Sequence, residues 1–157
     1  MKTEQISVLV CGNYGYRTNQ IDGQTIKTRV LKEALTDALG EINVKELDSS
    51  YFTRFPLRFF KEARRGFNEC KQIIILPGKR GLQLFLPFFL YWKRERDCIL
   101  QYVVIGGWLP QLLEKRNWLR LLCKKIDGIY VETATMAERL SRLGLSNVRL
   151  MPNFRKF

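Results

Sequence analysis

Short apolar runs alternate with segments of helical period along the whole chain, and this alternation constrains the fold more than any other feature. "ISVLVC", "INVKEL", "QIIIL", "CILQYVVI", "GIYVE" and "NVRLM" read as strands, the third fully buried. Between them lie "IKTRVLKEALTDALG", "PLRFFKEARRGF", "LQLFLPFFLYWKRER", "PQLLEKRNWLRLLCKKI" and "TMAERLSRLG". In the first of these Ile26, Val30, Leu31, Ala34, Leu35, Ala38 and Leu39 recur at helical spacing, and Gly40 suits the position after the last turn. Pro56 suits the first turn of the second; Pro87, inside the third, predicts a kink or a break. The fourth reads as one helix or two pieces. Continuous apolar strands separated by helices predict an α/β fold: a single Rossmann-like, doubly wound parallel sheet of about six strands, covered on both faces.

The length of 157 residues fits one domain, and 46% hydrophobic with 27% charged residues is globular composition. There is no histidine, which removes imidazole acid–base work, histidine triads and histidine-ligated metal sites. Cys11, Cys70, Cys98 and Cys123 are far apart without a CxxC pair, so they read as reduced thiols of a cytosolic protein. The N-terminus has no signal-peptide pattern, and Leu82 to Trp92, the most apolar helical stretch, is too short to span a bilayer. The net charge of +12 suits polyanions: nucleic acid, anionic lipid or phosphorylated small molecules.

A parallel sheet binds ligands at the carboxyl ends of its strands. The segments that follow the six strands are "GNYGYRTNQIDGQT", "DSSYFTR", "PGKRG", "GGWLP", "ETAT" and "PNFR", predicted to form one rim around a single crevice. The first loop, Gly12 to Thr25, leads into a helix whose free N–H groups suit phosphate. "GNYGYR" is not GxGxxG, and "PGKRG" lacks the spacing and hydroxyl of a P-loop, so neither a dinucleotide site nor an NTPase is expected. Lys79 and Arg80 are phosphate contacts or a solvated turn; Asp48 stands where a dinucleotide fold keeps its ribose-binding acid. Glu132 is a helix-dipole partner or a ligand for a substrate hydroxyl, and Thr133 is an N-cap. Trp108, after Gly106 and Gly107, is either a lid on the core or a platform for a sugar. The second reading predicts that Trp108→Ala costs under about 1 kcal/mol. From Tyr51 to Trp92 aromatics alternate with Arg and Lys, and a surface including Arg58, Lys61, Arg64 and Arg65 reads as one that lies on anionic lipid.

The turn after the first strand, "DGQTIKTRVL", "VVIGGWLPQLL" and "DGIYVETATMAERLSRLGLSNVRLMPNF" together resemble the N-terminal domain of GT-B fold glycosyltransferases related to family 4, of the bacterial capsular and exopolysaccharide type. The resemblance covers essentially the whole chain, residues 1–157. It implies the acceptor-binding half of a hexosyltransferase that moves sugar from a nucleotide-sugar to a glycan or lipid-linked acceptor in polysaccharide biosynthesis. The donor domain would be missing, to be supplied by a C-terminal domain or partner chain, and the chain alone would be inactive. It further implies Gly12, Gly15, Asp22 and Gly23 facing donor phosphates, and Gly106, Gly107, Trp108, Glu132 and Thr133 on the acceptor side. No metal, no cofactor beyond the nucleotide-sugar co-substrate and no nucleic-acid partner are expected, and no catalytic residue is singled out. The implied location is cytoplasmic, on the inner face of the cell membrane. The alternative is a non-catalytic Rossmann-like module that binds a phosphorylated ligand or nucleic acid.

Overall fold

The structure, a computed structural model, describes residues 7–16 and 22–151. Six strands form one parallel sheet in the order β2-β1-β3-β4-β5-β6. They are β1 (Val8–Gly12), β2 (Val44–Asp48), β3 (Gln72–Leu76), β4 (Ile99–Val103), β5 (Gly128–Val131) and β6 (Val148–Leu150). The helices are α1 (Gly23–Leu39), α2 (Pro56–Glu69), α3 (Lys79–Arg96), α4 (Leu109–Lys115), α5 (Asn117–Cys123) and α6 (Ala134–Arg142). Short 3-10 turns at Glu41–Asn43 and Ser49–Thr53 flank β2.

The strand order explains where the helices lie. The chain steps outward from β1 to β2, then returns across β1 to β3 and continues in that direction. Right-handed crossovers put helices of opposite step on opposite faces. Accordingly Leu31, Leu35 and Leu39 of α1 pack with Val8, Val10, Val44 and Ile74 on one face. Helices α2 to α6 pack on the other, over Leu9, Ile73, Ile75, Leu100, Tyr102 and Ile129. The doubly wound sheet is therefore covered unequally, by one helix on the first face and five on the second.

Gly66 shows how tightly α2 is drawn onto β1: a methyl added there would lie 2.6 Å from Leu9 Cδ2. Two boundaries differ from the sequence reading. Helix α1 starts at Gly23, because Asp22 and Thr25 form a reciprocal capping box. Helix α3 runs unbroken through Pro87, and it absorbs "KRG" into its first turn. Pro87 lies on the exposed side of α3, where the backbone bond it cannot make falls toward solvent. The predicted division of 109–126 into two pieces is present, with Arg116 between α4 and α5. The four cysteines are free and buried. Burial pushes the Cys123 thiol up to about 12, and burial with the nearby Asp48 carboxylate does the same to Cys11.

Candidate functional site at the carboxyl edge of the sheet

Because every strand runs the same way, all strand-end loops share one edge. The direction of connection reverses between β1 and β3, so the loops leaving them diverge and open a crevice. A shallow cleft of about 210 Å³ lies there, lined by Asn13, Gln24, Ser49, Ser50, Phe52, Thr53, Pro77, Gly78, Arg80, Gly81, Leu84 and Phe85. Its polar wall is amide and hydroxyl. Gln24 Nε2 donates to Leu76 O at 2.9 Å, which fixes its side chain across the end of β3. Asn13 Oδ1 accepts from Gly15 N at 2.9 Å, and its NH2 makes no bond among the described residues. Arg80 sits in the first turn of α3, whose N-cap Gly78 offers no side-chain acceptor.

The start of the first loop, through Tyr16, is folded around Asp48. Asp48 is buried at the end of β2. Its Oδ1 accepts from Tyr14 N (3.3 Å) and Ser50 N (2.9 Å), and its Oδ2 accepts from Tyr16 N (3.2 Å). The Tyr14 hydroxyl donates to Val10 O at 2.9 Å, its ring stacks on Tyr16 at 5.3 Å, and Arg29 Nε donates to Tyr14 O at 2.8 Å. A buried carboxylate that accepts three backbone N–H bonds acts as a clamp, which agrees with the expectation that Asp48 serves no dinucleotide site.

Three of the four residues expected to face donor phosphates, Gly12, Gly15 and Asp22, have a local structural duty. Gly12 lies under α1: a methyl there would stand 2.8 Å from Thr28 Cγ2. Gly15 adopts φ 73°, the left-handed region that favours glycine. Asp22 spends its carboxylate on the N-cap, and Gly23 opens the helix with free space above it. Residues 17–21, the middle of this loop, lie outside the described residues, as does the "PNF" element at 152–154.

On the acceptor side, Gly106 and Gly107 are exposed beyond β4. Gly106 has φ 87°, and a methyl on it would meet Trp108 Cδ1 at 3.2 Å; nothing lies within 4 Å of one on Gly107. Trp108 folds back over this turn. Its Nε1 donates to Ile105 O at 2.9 Å, and its ring is partly buried against the core. The indole N–H is therefore not available to a sugar hydroxyl, and the expected stability cost of under about 1 kcal/mol does not fit this seating. Thr133 caps α6 by accepting from Met136 N at 3.2 Å. Glu132 pairs with Lys27, a buried α1 side chain that joins the first helix to the end of β5. These residues share the edge with the cleft but do not line it.

Periodicity placed Leu31, Leu35 and Leu39 of α1 on the core side, where they pack, but it misplaced three other positions. Ile26 is 46% exposed and Ala34 and Ala38 are exposed, whereas Thr25, Lys27 and Thr28 are buried. The first turns of α1 overhang the strand ends, where polar loop groups replace an apolar surface. Asn13, Gln24, Ser49 and Thr53 line the cleft without having been singled out in the sequence. Their position directly after a strand, or at a helix start on the same edge, is the signal that finds them.

The anticipated lipid surface divides. Arg58 and Arg65 are held in i,i+4 pairs with Glu62 (3.2 Å) and Glu69 (2.9 Å), so both are locally neutralised. Lys61 and Arg64 instead border an aromatic groove between α2 and α3. Among the described residues no helix is long and apolar enough to cross a membrane, and no group of three or more Cys, Asp or Glu side chains is gathered for a metal ion. No protein-family model and no curated protein matches the chain.

Proposed function

We propose that this domain is the acceptor-binding half of a GT-B type glycosyltransferase, holding a glycan or lipid-linked acceptor while a nucleotide-sugar is presented by another domain or chain. The observation that carries this reading is the cleft between β1 and β3. It offers amides and hydroxyls from Asn13, Gln24, Ser49 and Thr53, groups that pair with sugar hydroxyls, and Arg80 at its lip for a phosphate. The resemblance of the strand-end segments to that enzyme group supports it. So does the edge chemistry. Asp22, Asp48 and Glu132 already have protein partners, so a second domain is the natural source of the groups that grip the donor and drive transfer.

The engaged state of those carboxylates also favours a second reading, a module that binds a phosphorylated ligand or nucleic acid without chemistry. Amide chemical-shift titration of the isotope-labelled chain separates the two. A short-chain lipid-linked sugar diphosphate is expected to move Asn13, Gln24, Ser49, Thr53 and Gly78, and the chain alone is expected to transfer no sugar from any nucleotide-sugar. Salt-sensitive RNA binding with no response to the sugar compound, or turnover by the chain alone, overturns the reading.

A further inference from the structure

Helix α3 carries an apolar ridge on the side facing away from the sheet. Leu84 (42% exposed), Pro87, Phe88 (49%) and Tyr91 (60%) follow one another at helical spacing along it. Phe88 leans on Phe60 of α2, with ring centroids 4.7 Å apart, yet stays half exposed, as do its ridge neighbours; the buried side of α3 is Leu82, Phe85, Leu86 and Phe89. A groove runs along each flank. On the α2 side Phe60 and Trp92 form the floor, with Lys61 and Arg64 on the lip. On the α5 side Leu90 and Leu122 form the floor, with Lys93, Arg94 and Lys125 on the lip.

The charge on these lips is one-sided. The acids nearby are Glu62, paired with Arg58; Asp127, paired with Lys93; Glu95, bonded to the Tyr91 hydroxyl; and Asp97 at the end of the second groove. Lys61, Arg64, Arg94 and Lys125 make no ion pair among the described residues. A projecting row of aliphatic and aromatic side chains between two rows of long cationic ones matches the interface of an anionic bilayer. Rings enter the boundary between headgroup and acyl chain, while Lys and Arg bury their stems and hold the phosphates.

We propose that the α3 ridge, with Lys61 and Arg64 on one shoulder and Arg94 and Lys125 on the other, seats the domain on an anionic phospholipid surface. Leu84, at the upper end of the ridge, also lines the cleft between β1 and β3. Seated this way, the domain presents its cleft at the lipid surface, where the sugar of a lipid-linked acceptor is found. That link rests on the acceptor reading above; the docking itself does not, and it is tested without any sugar.

The experiment is flotation of the full chain with vesicles of phosphatidylglycerol and phosphatidylcholine, and with phosphatidylcholine alone. Binding is expected on the anionic vesicles only, and it weakens as salt rises. Each cation near such a surface contributes about 1 kcal/mol, so Lys61→Gln with Arg64→Gln weakens partitioning roughly 25-fold. Phe88→Ser with Tyr91→Ser weakens it at least roughly tenfold through lost apolar burial. Leu84→Ser gives the same readout from the other end of the ridge if that pair fails to fold. Lys32→Gln with Arg149→Gln removes two charges from the opposite face of the sheet and is expected to change partitioning less than about twofold. Equal binding to neutral vesicles, an equal loss in the opposite-face pair, no loss in the ridge variants, or ridge-dependent dimerisation without vesicle binding each overturn the proposal.

Discussion

Replacing Trp108 by alanine tests whether the turn after β4 belongs to the core or to the ligand. A tryptophan at full burial removes some 150–250 Å² from water; a partly buried one removes on the order of 100 Å². At about 25 cal/mol per Å² that is roughly 2.5 kcal/mol. The Nε1 bond to Ile105 O adds about 1 kcal/mol, so Trp108→Ala is expected to cost about 3.5 kcal/mol. Trp108→Phe keeps most of the ring contact, loses only the N–H, and is expected to cost about 1 kcal/mol. The two glycines provide internal controls. Gly106→Ala is forced into the left-handed region at φ 87° and crowds the indole, at a cost of roughly 1–2 kcal/mol. Gly107→Ala meets nothing within 4 Å and is expected to stay within about 0.5 kcal/mol. Urea unfolding followed by far-ultraviolet circular dichroism gives all four values on one scale. If Trp108→Ala costs less than about 1 kcal/mol, the ring is not part of the core and the packing account of this turn is wrong.

Asp48→Ala strips an acceptor from three backbone N–H groups and is expected to cost about 3–5 kcal/mol, with faster hydrogen exchange at Tyr14 and Tyr16; unchanged exchange there would show that Asp48 does not clamp the loop. Gly66→Ala gains about 1 kcal/mol in helix propensity but drives a methyl to 2.6 Å from Leu9. A net loss of about 1–2 kcal/mol is expected, largely relieved by Leu9→Val in the double variant; additive losses would separate the two sites. Alkali destabilises the fold through Cys11 and Cys123, whose thiols keep their protons up to about 12 when folded but lose them near 9 when unfolded. Below pH 9 both states are protonated and the stability is fully present. Above it the unfolded state binds fewer protons, so stability falls by about 1.4 kcal/mol per pH unit per thiol until pH 12. The Cys11→Ala, Cys123→Ala variant is expected to flatten the urea-midpoint decline between pH 9 and 10; an undiminished slope would assign the decline elsewhere.

Strand identity was legible in the sequence because buried parallel strands are short and continuously apolar: "QIIIL" admits little else between two polar turns. The parallel sheet followed from the helices between the strands, and a common edge for the strand-end loops followed from the parallel direction alone. What those loops do was decided only in three dimensions. Asp48 became a clamp because β2 lies beside β1 in the sheet, bringing the carboxylate under the amides of Tyr14 and Tyr16, 34 and 32 residues earlier. Gly12 is small because Thr28 of α1 rests on it, a distance that no spacing along the chain encodes. Lys27 reads as a solvent residue within its own helix, and it is buried only because α1 crosses toward Glu132, at the far end of another strand. Hydrophobic period is a local property that records which element forms. Which polar group meets which depends on strand order, since that order brings together residues that the chain keeps far apart.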